Sequence, residues 1–144
     1  MRLLFRTTLL ISFLCQIGIL NGMTLPPDSL YHHDNGDKIY LFSDVDTMAI
    51  FPGGETGMTE WMSHNITYPG ISRKFNIEGT VYCTFVVEKD GSVSDILILQ
   101  GIDKACNNEV LRLIKKSPRW TPAIKGGEAV RVQFNLPVNF KLEE

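Results

Sequence analysis

Val81-Tyr82-Cys83-Thr84-Phe85-Val86-Val87-Glu88-Lys89-Asp90-Gly91-Ser92-Val93 is the stretch on which the architecture turns. Val81, Cys83, Phe85 and Val87 alternate with Tyr82, Thr84, Val86 and Glu88, the period of a strand with one strongly apolar face. Lys89-Asp90-Gly91 then predicts a tight reversal, because Asp-Gly supplies the left-handed backbone a short hairpin needs. The return strand runs from Val93 to Leu99. Its run Ile96-Leu97-Ile98-Leu99 breaks strict alternation, so either both faces are partly buried or a bulge sits near Ser94-Asp95.

Downstream, Asp103 is a helix N-cap. Cys106, Val110 and Ile114 follow as an i, i+4, i+8 row beside Leu111 and Leu113, with Lys115 and Lys116 in the last turn, where cations suit the helix dipole. Pro118 ends that helix. Trp120, Pro122 and Gly126-Gly127 read as an extended arm and a turn. Val130, Val132, Phe134, Leu136, Val138 and Phe140 then alternate without a break, with Arg131, Gln133, Asn135 and Asn139 opposite. The first set is expected to face the core and the second water. Pro137 lacks the N–H of a central ladder, which predicts one unpaired side near it.

Upstream, Phe51-Pro52-Gly53-Gly54 is a turn that opens a helix: Met58, Trp61 and Met62 fall on one helical face, Glu55 lies in the first turn, and Gly57 weakens the helix. Thr67-Tyr68-Pro69 breaks it. Ile71 and Phe75 make a short second helix, with Asn76 as its left-handed terminator. Residues 39–45 form a short strand or an extended arm. The assembled fold class is α+β, a small antiparallel sheet of about three strands with helices packed on one face.

The remaining composition narrows the function classes. The chain has 144 residues, 44% hydrophobic and 21% charged, with net charge -2, which is ordinary globular usage. No basic stripe points to nucleic acid. Arg2 and Arg6 precede an uncharged apolar run over 7–23, the layout of an export signal or of a membrane anchor at the short end of spanning length. The expected organisation is therefore 1–23 signal peptide or anchor, 24–38 linker, and 39–144 a single domain facing the periplasm, either free or at the inner membrane. His32 and His33 fall in that linker and read as solvated. After export, an oxidising compartment would allow Cys83 and Cys106 to pair as a disulfide; the other reading is two buried small hydrophobes.

Chemistry finds little support. Catalysis needs a nucleophile, a base and an orienting group within reach. The domain offers one histidine, His64, and acids with structural positions: Asp90 in a turn, Asp95 in a strand, Asp103 at a cap. No phosphate loop follows either Gly-Gly pair. The reading is no enzyme, no cofactor and no metal. What remains is the sheet edge, which can take up a peptide as an added strand or be blunted by Pro137 and covered by the 39–45 arm.

Several ordered pieces carry a resemblance. Phe51-Pro52-Gly53-Gly54-Glu55, Tyr68-Pro69, the quoted strand–turn stretch from Gly79, Trp120-Thr121-Pro122-Ala123, Gly126-Gly127 and 130–140 together resemble the C-terminal domain of TonB-family energy transducers, in the form common in Bacteroidetes. The match covers roughly 39–142. The resemblance implies that the domain grips a peptide of an outer-membrane TonB-dependent receptor, which adds as a strand along Val130, Arg131, Val132, Gln133, Phe134, Asn135 and Leu136. Tyr68 and Pro69 would contribute at the same end. It also implies coupling to outer-membrane transport through inner-membrane motor proteins. Self-pairing of such an edge would give a homodimer. The 24–38 spacer departs from the family's long Pro-rich one, since 15 residues reach at most about 50 Å. This keeps open a stand-alone periplasmic binding module without energy transduction.

Overall fold

The computed structural model describes residues 38–142; the expected signal or anchor, nearly all of the linker, His32 and His33 lie outside the described residues. In chain order the elements are β1 (Ile39–Tyr40), a 3-10 turn (Phe42–Asp44), α1 (Gly54–Asn65), α2 (Gly70–Lys74), β2 (Gly79–Val87), β3 (Val93–Gln100), α3 (Lys104–Lys115), β4 (Ala123–Lys125) and β5 (Glu128–Phe140). The sheet order is β1-β5-β2-β3, with β4 also paired to β5. Three long antiparallel strands thus form the body of the sheet. Of the two short ones, β1 pairs in parallel with β5 on the side away from β2, and β4 pairs antiparallel with the first residues of β5, before the stretch that β2 covers.

The β2–β3 connection is a three-residue hairpin loop. Gly91 N–H donates to Glu88 O at 2.9 Å, and Glu88 N–H to Ser92 O at 2.8 Å. Gly91 has φ +82. A type I turn followed by a left-handed residue is the expected build for that loop length, and only Gly91, not Asp90, takes the positive φ. Asp90 instead accepts from the Ser92 hydroxyl at 2.5 Å, from the Ser92 amide at 2.9 Å and from Arg119 at 3.0 Å. Those hydrogen bonds hold its carboxyl down at about 2. In β3, Thr84 pairs with Leu97 and Val86 with Ser94, so Asp95 and Ile96 stand opposite Phe85 alone. Asp95 has φ +49. The bulge, rather than burial of both faces, resolves the irregular apolar run, and Leu97 and Leu99 are exposed.

The core lies between the inner face of the sheet and the helices. Val81, Cys83, Phe85 and Val87 of β2 and Val132, Leu136, Val138 and Phe140 of β5 meet Cys106, Val110, Leu113 and Ile114 of α3 and Met58 of α1. Pairwise ring contacts run from Phe85 to Phe134 (5.4 Å between centroids), Phe134 to Trp120 (4.9 Å), Trp120 to Phe51 (5.4 Å) and Phe51 to Trp61 (5.7 Å). This row links the middle strands to α1; each such pair adds about 0.5–1.5 kcal/mol beyond its area. Asp103 caps α3, accepting from Cys106 N–H at 3.0 Å and from the Ser72 hydroxyl at 2.8 Å. Phe51-Pro52-Gly53-Gly54 closes a β-turn, Gly54 N–H to Phe51 O at 2.7 Å. Pro52 takes the second place and Gly53, at φ 79 and ψ 8, the third, a type II turn.

Two expectations are corrected. Arg131 does not face water: it is 7% exposed, and its guanidinium donates to Glu88 at 2.7 and 2.9 Å and lies 3.6 Å from Asp95. A buried arginine requires such partners, and the hairpin and the bulge deliver both acids to its face. Nor do Cys83 and Cys106 form a disulfide; both are free and buried. The Cys83 thiol is directed at Leu136 O, 3.3 Å away, while Cys106 sits in the first turn of α3. Burial pushes both thiols up to about 11.

Candidate functional site: the outer edge of β5

β5 pairs with β2 residue by residue, from Val132 opposite Val87 to Phe140 opposite Gly79, without a register shift. The orientation of its main-chain groups follows from two side-chain bonds. Thr84 Oγ1 donates to Phe134 O at 3.2 Å, and Cys83 Sγ to Leu136 O at 3.3 Å. Those carbonyls therefore face β2. Since main-chain groups alternate along a strand, Gln133, Asn135, Pro137 and Asn139 turn theirs the other way. Pro137 thus stands where its missing N–H costs no bond to β2, which explains how a proline fits inside a paired strand.

The outer side is only partly occupied. β4 pairs along 128–130 through Lys125, Ile124 and Ala123 across a two-residue loop. The even-numbered residues of β5 therefore face β4 as they face β2, and β4 lies in line with β2 and leaves the outer side clear. β1 pairs with Arg131 and Val132 through Ile39 and Tyr40. From Gln133 to Phe140, no strand among the described residues lies on that side. This eight-residue open stretch is about 26 Å long. Of the residues that sequence reasoning singled out, Arg131 and Val132 already have β1 as a neighbour there, Val130 pairs with β4 on the β2 side, and Gln133, Phe134, Asn135 and Leu136 lie on the open stretch. The pairing of 128–132 was not legible, because two- and three-residue strands carry no periodicity.

β1 is held lightly. Neither β1 nor the following 3-10 turn contains a fully buried residue, and Leu41 and Phe42 are exposed. The Tyr40 ring lies between Lys38 at 4.9 Å and Lys125 at 5.0 Å. The two-residue ladder offers on the order of two main-chain bonds at about 1 kcal/mol each. Two exposed cation–π contacts add about 0.5–1 kcal/mol each. Ordering the backbone costs about 1–2 kcal/mol per residue, so the net hold is close to zero. The firm attachments begin at Asp44, whose O accepts from Lys125 Nζ, and at Val45, packed against the core, followed by Asp46 and Thr47, whose amides both donate to Ile124 O, at 2.9 and 3.1 Å.

Tyr68 closes the far end. It is buried, its ring edge-on to Phe140 at 5.4 Å, and its hydroxyl donates to Ile77 O at 2.5 Å. Burial raises the phenol above its usual range. Pro69 follows it, half-buried, as the N-cap of α2. Glu109 fixes this segment by accepting the Thr67 amide at 2.6 Å, while Arg112 bonds Glu109 and donates to Asn65 O at the end of α1 at 2.7 Å. Burial works against the Glu109 carboxylate, yet its Arg112 and Thr67 hydrogen bonds hold its pKa below the ordinary value.

The second free edge of the sheet is β3. Its ladder with β2 shifts register twice, between Thr84 and Val86 and between Tyr82 and Cys83, and bulges of this kind spoil an edge for further pairing. Among the described residues no group of three His, Cys, Asp or Glu side chains could hold a metal ion, and no helix is long and apolar enough to cross a membrane. His64 is exposed, with Nδ1 2.7 Å from Glu60 O one turn back in its own helix.

Residues 64–142, more than half of the chain, match the family model for the Gram-negative bacterial TonB protein C-terminal. The chain belongs to that family. A TonB relative, Protein TonB of Pseudomonas aeruginosa, is 29% identical over 77 residues, which cover 54% of this chain and 22% of that protein. The match thus spans about a fifth of the relative's length. Among solved structures, the Helicobacter pylori TonB-CTD is similar at 27% identity and TM-score 0.49, covering 62% of this chain and 80% of that one. The Pseudomonas aeruginosa TonB CTD is similar at 24% identity and TM-score 0.48, covering 75% and 98%.

Proposed function

We propose that this TonB-type domain binds an extended peptide of another envelope protein by strand addition to the outer edge of β5, and that it carries out no catalysis. The observation that carries this reading is the open stretch 133–140, regular against β2 on one side and unpaired among the described residues on the other. Asn135 and Asn139 offer both a donor and an acceptor to an incoming strand, and Gln133, whose N–H faces the end of β1, and Pro137 offer an acceptor alone. Net gains of about 0.5–1.5 kcal/mol per main-chain bond are small singly and sufficient together for a reversible contact. Tyr68, through Phe140, and Pro69 would close one end of the site. Family membership supports a TonB-dependent outer-membrane receptor as the source of the peptide, coupling to transport, and a location at the inner membrane or in the periplasm.

A paired proline substitution tests it. Asn135→Pro removes an outward N–H and leaves the β2 ladder intact, whereas Leu136→Pro removes an N–H that faces β2. The first should fold and lose receptor-peptide binding, measured by calorimetry; the second should unfold. Undiminished binding by a folded Asn135→Pro chain would sink strand addition at this edge. The alternative of a stand-alone binding module rests on the short 24–38 spacer. Fractionation and intact mass of the native protein separate the two: an uncut chain in the inner membrane supports transduction, and a soluble chain cut near Gly22 supports the module.

A further inference from the structure

We propose that β1 is a strap that competes with the incoming strand for β5, so that the length of the receiving edge depends on whether β1 is docked. The inference rests on the strand-addition reading and adds a regulatory step to it. β1 and the open stretch lie on the same side of the same strand, end to end. Ile39 and Tyr40 occupy Arg131 and Val132, and the open edge begins at the next residue, Gln133. With β1 docked, a partner can pair over 133–140. With β1 released, the edge lengthens to 131–140 without disturbing β4, whose pairing ends at Val130.

The local construction suits release. β1 is two residues long, half-exposed, and followed by a 3-10 turn with no buried residue. The chain is next fixed at Asp44, whose O accepts from Lys125 Nζ, at Val45, which packs against the core, and at Asp46 and Thr47 by their bonds to Ile124 O, so 38–43 can swing away while the domain stays whole. Release moves no buried residue, because 38–43 contains none. The segment N-terminal to Lys38 leads directly into the strap, so whatever holds or displaces that segment sets the footprint available to the partner. When a binding-competent state is populated only in part, apparent affinity falls by that fraction. A strap docked nine-tenths of the time therefore weakens a long partner by about tenfold and leaves a short one unaffected.

The test compares the full native chain with the double variant Ile39→Pro/Tyr40→Pro, which cannot hold the β1 ladder. The probes are two capped peptides of alternating Thr and Val, eight and ten residues long, whose main chains pair with little regard to sequence. The variant should bind the ten-residue peptide about tenfold tighter than the native chain does, with backbone NMR shifts reaching Arg131, while the eight-residue peptide binds both proteins equally. Equal affinity of both proteins for the longer peptide would overturn the strap. Hydrogen exchange of the Arg131 amide, which by the alternation along β5 faces β1, decides the point without any ligand. Exchange far faster than that of the β2-facing Phe134 amide supports a strap that opens, and equal protection overturns it. Should neither peptide bind either protein, strand addition falls, and the exchange comparison still decides whether β1 opens.

Discussion

The backbones of Gly91 and Trp120 touch: Trp120 N–H donates to Gly91 O at 2.8 Å, and a Cβ placed on Gly91 would stand 1.9 Å from Trp120 O. The hairpin loop thereby anchors the start of the arm that carries the aromatic row, and Gly91 is required twice, for φ +82 and for this approach. Gly91→Ala should destabilise the domain by at least about 2 kcal/mol, seen as a lower denaturation midpoint. A change within 0.5 kcal/mol of wild type, about the scatter of neutral surface substitutions, would mean that loop and arm are not joined here.

Gly57 gives a prediction of unusual sign. Replacing a helical glycine by alanine ordinarily gains about 1 kcal/mol. Here the added Cβ would lie 2.2 Å from Pro52 O, across the turn that opens α1. Gly57→Ala should therefore lose stability, by about 1–2 kcal/mol, with a lower melting temperature as the readout.

Arg131 is the third case. Arg131→Met should cost about 2–3 kcal/mol, because Glu88 and Asp95 would lose their cation while only a quarter exposed or less. Its hydrogen bonds with Arg131 hold the Glu88 carboxyl below its ordinary range, against an opposing push from burial. A depressed carboxylate contributes stability that is present above the unfolded value, about 4.3, and that is lost as pH falls through the folded one. Wild-type stability should accordingly decline on the acid side of pH 4 or so, and Arg131→Met should flatten that part of the curve. Urea denaturation at a series of pH values reads both effects.

Pro137→Ala restores an N–H on the open side of β5 without touching the ladder to β2. Folding stability should change by less than about 1 kcal/mol, while self-association through the edge should rise. Sedimentation of both proteins at matched concentration checks this; identical monomer profiles would show that Pro137 does not guard the edge.

The sequence carried the long elements because each repeats its own period: 81–87 and 130–140 at two, 106–114 at near four. It carried the reversal at Gly91 and the cap at Asp103 because those positions favour few residue types. Arg131 was misread for a definite reason. Alternation assigns a face, and the face was right, but Glu88 and Asp95 reach it only through the hairpin register and the bulge at Asp95, neither of which a single strand's pattern contains. The extent of the open edge was hidden likewise, since β1 finds β5 only through tertiary contact, some 90 residues along the chain. Cys83 and Cys106 sit on apolar faces in either reading, so the choice between thiols and a disulfide required three dimensions.

The position of β5 in the sheet has a consequence for how the domain is made. β5 is the last of the described strands in sequence, yet it lies between β2 and β1, and its partners in β2 are some 45 to 60 residues away along the chain. Such pairing has high contact order and closes large loops before it is rewarded. Until β5 is available, β2 has one bare edge and the aromatic row lacks Phe134. Folding of this domain should then be slow and concerted rather than progressive, and a nascent chain stalled before Arg131 would present that bare strand to chaperones or to other copies of itself.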